Sequence, residues 1–441
     1  MKNIIKQIAI FTIILFVFLS FTACSLFNSN ARSNPGNATS TGISSTDALS
    51  DDTQSSNTLP SDTQSTSIQP TSTVSTETTI PGSSQSNTSN TGTQSGTTQT
   101  ASDSALGFKV KALYLTGWTA GSAARLDHFI QLAKSTEINT YVIDIKDEDG
   151  LVSYESSVKS VRDIGAWTKK YDVGKVIAKL HENNIHVIGR IVCFNDPVLS
   201  SKIPEYAIKT KSGAAWLSKN SDGKLVSWVN PYETGAWDYL IDIAKEGIEK
   251  GFDEIQFDYV RFPSGKNISM YFGENPPAKY QAIDEFLGRA RKAMPDAILS
   301  ADVFGIICES PADSENIGQN LEMIGKDLDY ISPMVYPSHF APGQIVNGVT
   351  FSIPDFKPYD VVYNSLIKAK NRISKITDGY KAKIRPYLQD FTASYMPKGT
   401  FMEYGPVQVR QQISAAYDTG CQEWILWDAK NTYDESALLP K

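Results

Sequence analysis

The sequence predicts an α/β fold of the closed (β/α)8, or TIM-barrel, type, and three observations carry that expectation. Strand-like and helix-like segments alternate after residue 106 until eight strands have appeared. The strands have central apolar runs, as parallel strands covered by crossover helices do. The three longest connections, 147–172, 195–235 and 337–358, all follow the C-terminal ends of strands, where barrels of this type carry their sites.

The elements run in order. "VKALYLTG" (110–117) is the first strand and "AARLDHFIQLAKST" its helix. "NTYVIDIKDEDG" (139–150) is the second strand, and "DVGKVIAKLHENN" is a helix ending on asparagines that can cap it. "HVIGRIVCFND" (186–196) is the third strand, followed by "GAWDYLIDIAKEGIEKG", a helix closed by Gly251. "DEIQFDYVRF" (253–262) is the fourth, "KYQAIDEFLGRARKAM" a helix, and "AILSADVFGI" (297–306) the fifth. "IGQNLEMIGKDL" reads as the next helix before the sixth strand, "DYISPMVYPS" (329–338). "DVVYNSLIKAKNRISKI" precedes "AKIRPYLQDF" (382–391), and "PVQVRQQISAAYDTG" precedes "EWILWDAKN" (423–431). A doubly wound open sheet would want G-x-G-x-x-G after the first strand, and "YLTGWTAGSAAR" lacks that spacing.

The barrel occupies 106–441, and two other regions precede it. Residues 1–24 have Lys2 and Lys6, an apolar run and then Cys24, a signal-peptide layout. "FTAC" resembles a bacterial lipobox, with Phe21 where leucine is usual, so Cys24 is the expected lipidation site; an uncleaved membrane anchor is the alternative. Residues 25–105 are rich in Ser, Thr, Asn, Gln and Gly, with no aromatic between Phe27 and Phe108. Such a segment buries too little apolar surface to offset its ordering entropy, and reads as a disordered tether. The expected location is extracytoplasmic, lipid-anchored to a bacterial membrane, as a monomer.

The net charge of −7 argues against nucleic acid as a main partner. Cys193, Cys308 and Cys421 are widely spaced and read as buried free thiols. His128, His181, His186 and His339 form no H-x-H or H-E-x-x-H, so metal chemistry is disfavoured and no cofactor is expected. No G-x-S-x-G occurs, which disfavours a serine hydrolase.

Polar residues gather at the strand ends. Trp118 follows the first strand; Asp144, Lys146 and Glu148 close the second; Arg190 lies on the third. Gln256, Asp258 and Arg261 close the fourth, and Asp302 sits on the fifth. Tyr336 and His339 follow the sixth, Gln389 and Asp390 end the seventh, and Trp427, Asp428 and Lys430 end the eighth. Alternation puts Gln256 and Asp258 on the lumen side, opposite Ile255 and Phe257. Each residue has a structural alternative: Arg190 neutralising a carboxylate, Asp144 pairing with Lys146, Asp428 capping the last turn. Convergence favours chemistry, because acids end the adjacent fourth and fifth strands with aromatics nearby. Glycosidic cleavage uses two carboxyl groups, and Trp118, Trp216, Trp228, Trp427 and Tyr336 offer faces on which sugar rings stack.

"GFDEIQFDYVRFP", with "WVNPY" upstream and "SADVFG" and "DYISPMVYPSHF" downstream, resembles the bacterial putative glycosyl hydrolase domain family over essentially all of 108–441. The resemblance implies an extracellular or lipoprotein TIM barrel distantly similar to the α-amylase superfamily. By that likeness Asp258 is the nucleophile, and the acid/base is Asp302 or the slightly later Glu309. Gln256 stands where α-amylases carry an arginine, and Arg261 follows the acid instead and is its expected partner. Against the chitinase pattern D-G-x-D-x-D-x-E, Val260 holds the catalytic glutamate position. The expectation is a surface-anchored glycoside hydrolase acting on a polysaccharide or cell-wall glycan. Asp258 and Asp302 are its catalytic pair, and Trp118, Asp144, Arg190, Arg261, Tyr336, His339, Asp390 and Trp427 bind substrate. The alternative is a non-catalytic glycan-binding envelope lipoprotein on the same barrel.

Overall fold

The computed structural model describes residues 107–220, 223–264 and 269–441. Cys24, the signal-like segment and the tether lie outside the described residues. Eight strands form the barrel: β1 (Lys111–Leu115), β2 (Thr140–Lys146), β3 (His186–Val192), β4 (Glu254–Asp258), β5 (Ile298–Phe304), β6 (Tyr330–Met334), β7 (Lys383–Ile384 and Tyr387–Gln389) and β8 (Trp424–Trp427). Each pairs in parallel with the next, and β8 pairs with β1, so the sheet closes in chain order. The outer layer holds α1 (Ala123–Ser135), α2 (Val173–His181), α3 (Thr234–Lys250), α4 (Lys279–Ala293), α5 (Leu321–Ile324), α6 (Pro358–Ile373) and α7 (Pro406–Asp418).

Local chemistry explains the element ends. Asp172 caps α2 by accepting from the Lys175 N–H, and Gly251 ends α3 at φ 104°, a conformation that costs glycine no Cβ clash. Gly247 lets α3 approach the sheet, because a Cβ there would lie 2.6 Å from Ile145 Cδ1. Ile255 and Phe257 face the helices as alternation requires, with Phe257 edge-on to Phe286 of α4 at 5.4 Å.

Three elements differ from the sequence expectation. The helix expected over 317–328 is one turn, α5, started by the Asn320 side chain and stopped at Gly325. The seventh strand is interrupted between Ile384 and Tyr387, since Pro386 has no N–H to give to the ladder. The fourth strand stops at Asp258 rather than running to Phe262, because Tyr259 turns the chain at φ 47°.

The lumen is divided. Ala112, Val142, Ile188 and Ile425 make an apolar side. Beside them, Glu254, the register neighbour of Ile188, pairs with Arg385 and accepts the Ser300 hydroxyl at the barrel floor. Connections on the floor side are short, at 136–139, 182–185, 251–253 and 294–297. The mouth side carries the long ones, including a hairpin (Leu217–Lys219 with Leu225–Ser227) after β3 and another (Gln344–Val346 with Val349–Phe351) after β6. Cys193, Cys308 and Cys421 are buried free thiols. Among the described residues, no helix is long and apolar enough to cross a membrane.

Candidate active site

Strand register brings the two acids together. Phe257 of β4 pairs with Ala301 of β5, and Asp258 and Asp302 are the next residues on each strand. Neighbouring strands lie about 4.8 Å apart, so two lumen-facing carboxyls start from adjacent positions at one level of the barrel. Both are buried.

Arg190, in the middle of β3, organises the mouth. Its Nε and Nη2 donate to Asp258 Oδ2 at 2.9 and 2.6 Å. Nη1 donates to Asp144 Oδ1 at 2.7 Å, and Nη2 also reaches Glu148 Oε1 at 2.5 Å. The guanidinium lies 5.3 Å from the ring centres of Tyr114 and Trp427, which stack on each other at 4.0 Å. A buried cation needs such partners, because an uncompensated charge in the interior costs several kcal/mol.

The carboxyls around this cation sit in different electrostatic settings. Burial pushes Asp144 up to about 7 against the pull of Arg190, and the Tyr114 hydroxyl donates to its Oδ2 at 2.7 Å. For Glu148 burial opposes the charge, but Arg190 outweighs it and holds the carboxyl below its ordinary range. Asp258 Oδ1 accepts the Tyr259 N–H at 2.6 Å. Tyr259 is a bulky residue at positive φ, a strained conformation of the sort that collects at functional sites.

Asp302 is the contrasting acid. Burial, and next the negative charge of Asp258, hold its carboxyl well above the ordinary range. Its Oδ1 is buried and makes no hydrogen bond. One layer below, Tyr387 donates to Gln256 Oε1 at 2.7 Å, and Gln256 Nε2 reaches Ser332 Oγ at 3.4 Å. Gln256, which stands where an arginine was the comparison, is therefore a neutral lumen residue beneath the acids. The cation beside Asp258 comes from β3.

Several sequence expectations change. Arg261 is not the partner of Asp258. It donates to the Phe262 carbonyl at 3.0 Å, and its guanidinium lies among Phe304, Tyr259 and Trp228 at 4.4, 4.9 and 5.1 Å. Asp144 pairs with Arg190 rather than with Lys146, which instead meets Asp196 at 2.9 Å. Trp216 and Trp228 are buried with Ile208 in a separate cluster and offer no free face. Glu309 is held away, accepting the Asn347 N–H at 2.8 Å and lying 3.5 Å from Lys368.

The remaining candidates spread around the mouth. Trp118, 63% exposed, follows β1 on the short helix Gly117–Gly121, and Lys170 sits 5.9 Å from its ring. Tyr336 packs edge-on to His339 and Phe391 at 5.1 and 5.7 Å. Burial lowers His339 to about 4, which leaves a neutral imidazole at pH 7. Burial pushes Asp390 up to about 7. Asp428 accepts the N–H groups of Lys430 and Thr432, the capping role expected of it. Among the described residues no group of His, Cys, Asp and Glu is placed to hold a metal ion.

Comparison with known proteins bears on the family and the fold. A family model described as "Putative glycosyl hydrolase domain" matches residues 112–433. A crystal structure of a hypothetical protein from Ruminiclostridium thermocellum ATCC 27405 is 56% identical, covering 43% of this chain and 97% of that one, with a TM-score of 0.41. The PgaB (BpsB) glycoside hydrolase domain from Bordetella bronchiseptica is 10% identical and shares the fold, covering 75% of this chain and 97% of that chain at a TM-score of 0.54. The spore cortex-lytic enzyme SleL from Bacillus megaterium QM B1551 is 14% identical, covering 75% and 73%, with a TM-score of 0.42. No curated protein matches the chain. The matched span runs from within β1 past the end of β8 and takes in both lumen acids, so the chain belongs to the family described as Putative glycosyl hydrolase domain, a glycoside hydrolase family on a TIM barrel.

Proposed function

We propose that this protein is a surface-anchored glycoside hydrolase that cleaves a polysaccharide or cell-wall glycan, with Asp258 as nucleophile and Asp302 as general acid. The carrying observation is the pair of acids at matching ends of β4 and β5 in opposite settings. Arg190 clamps Asp258 by two charge-assisted bonds, while Asp302 is buried with a free Oδ1. One carboxyl is thus equipped to attack and the other to give a proton. Glu148 is less suited to give a proton, since Arg190 donates to it and holds its carboxyl below the ordinary range.

In the first step Asp302 protonates the glycosidic oxygen as an Asp258 oxygen bonds to the anomeric carbon and the leaving group departs. Water then attacks that carbon, Asp302 takes its proton, and Asp258 is released with net retention. Carboxyls about 5–5.5 Å apart accompany that outcome, a separation compatible with neighbouring strands about 4.8 Å apart. The layout of residues 1–24 supports a lipid anchor at Cys24, and 25–105 a tether. One barrel supplies every residue invoked, and a monomer suffices.

Asp302→Asn tests the acid. The variant is expected to lose about 10²–10⁴-fold on glycans, and much less on dinitrophenyl glycosides, whose leaving group needs no proton. Because Asp302 works protonated and its carboxyl sits high, wild-type activity falls as pH rises through that value, and this alkaline limb disappears in the variant. Equal losses on both substrate types, with the alkaline limb intact, remove Asp302 from the role.

A further inference from the structure

We propose that Glu148 is a positioning residue that shares the Arg190 guanidinium with Asp258 and becomes its main counter-charge while Asp258 is tied up as a glycosyl ester. The proposal rests on the reading of Asp258 as nucleophile and adds a residue that the reading did not require.

The geometry is a shared nitrogen. Arg190 Nη2 donates to Glu148 Oε1 at 2.5 Å and to Asp258 Oδ2 at 2.6 Å. The two oxygens are therefore no further apart than those two bonds end to end, close enough for one cation to serve both. Glu148 lies just beyond β2 with its side chain 41% exposed, whereas the Arg190 side chain is 1% exposed. The third carboxylate on this cation, Asp144, is buried and already takes the Tyr114 hydroxyl.

The charge balance gives the arrangement a purpose. When an Asp258 oxygen bonds to the anomeric carbon, the bond from that carbon to the leaving oxygen breaks and the Asp302 proton goes to the leaving group. Asp258 loses its negative charge in that step. Arg190 keeps a carbonyl acceptor there but loses the negative charge that faced two of its four bonds. An isolated buried cation is costly, and Asp144 is a weaker substitute because burial pushes its carboxyl up to about 7 and so disfavours its charge. Glu148 is already on Nη2 and stays ionised. Water attack on the anomeric carbon releases the Asp258 carboxylate and restores the shared state, with Asp302 taking the water proton.

A residue with this role affects the ester-forming step rather than substrate binding. A group that only contacts sugar changes KM, and one that only supports the fold destabilises every background alike. Two measurements on the full chain separate these cases. The first assays wild type, Glu148→Gln and Glu148→Asp on a panel of 2,4-dinitrophenyl glycosides. The expected result for Glu148→Gln is a kcat lower by about 10- to 100-fold with KM within about threefold, and partial recovery in Glu148→Asp. The second compares the Tm loss caused by Glu148→Gln in wild type and in Asp258→Asn, whose neutral amide imitates the uncharged ester. The loss is expected to be larger by about 2–4 °C in the Asp258→Asn background. Equal Tm losses in the two backgrounds overturn the proposal, as does an effect confined to KM or a kcat within twofold of wild type. If wild type cleaves none of the glycosides, the catalytic reading fails on this panel, and the Tm comparison alone decides whether Glu148 and Asp258 share Arg190.

Discussion

Asp258→Asn is expected to lower turnover by at least about 10⁴-fold on any glycan that the wild type cleaves, with little effect on the fold. The amide keeps the shape of the side chain but cannot form the ester, and removing a nucleophile costs catalysis on this scale. Arg190 keeps Asp144 and Glu148 as partners in the variant, so the buried cation is not left alone. The check is kcat/KM beside the unfolding transition of the same preparation. Turnover within tenfold of wild type by a well-folded variant removes Asp258 from the chemistry.

Arg190→Met is expected to have the largest effect on stability, about 3–5 kcal/mol at pH 8. Methionine fills the space under Tyr114 and Trp427, but Asp258 and Asp144 then face each other with no cation between them. Breaking a buried pair by removing one partner costs that much because the other charge remains. The sign of the pH dependence follows. Without Arg190 these carboxyls bind protons more tightly in the folded than in the unfolded chain. Stability then falls as pH rises above the ordinary carboxylate range, and the deficit shrinks as pH is lowered toward it. Denaturant unfolding at pH 8 and pH 5 checks this, and adding Asp258→Asn and Asp144→Asn is expected to recover much of the loss. A loss below about 1 kcal/mol, or one independent of pH, contradicts the role given to Arg190.

The barrel was legible in the sequence because each strand is an apolar run bounded by turn residues and followed by a helical period. Where the reading failed, a local signal was overruled by context. The segment 317–328 has a helix-like apolar pattern, but Gly318 and Gly325 leave only one turn between them. Asp258 and Asp302 were legible as lumen acids because alternation fixes the face of every strand residue.

The partner of Asp258 was harder to read. Arg261 is three residues away in sequence but is turned aside by the positive φ of Tyr259 into an aromatic pocket. Arg190 is 68 residues away and reaches Asp258 only through the β3–β4 pairing. A signal was present: in "HVIGRIVCF" the arginine is the only formal charge inside an apolar strand, and a buried charge must find acids. Trp216 and Trp228 misled for the opposite reason. Their type suits sugar stacking, yet in the loop after β3 they cover their own small core.

The central claim is that Asp258 attacks the anomeric carbon while Asp302 supplies the proton. Incubation with 2,4-dinitrophenyl 2-deoxy-2-fluoro glycosides, followed by peptide mass spectrometry, tests it most directly, since the fluorine slows both steps while the dinitrophenolate leaving group speeds formation alone, so the ester accumulates. The predicted result is a single covalent adduct on the peptide carrying Asp258, absent from Asp258→Asn and formed in Asp302→Asn with these activated substrates. Turnover of the unfluorinated glycoside with inversion and no adduct, or an adduct on any other carboxylate, contradicts it.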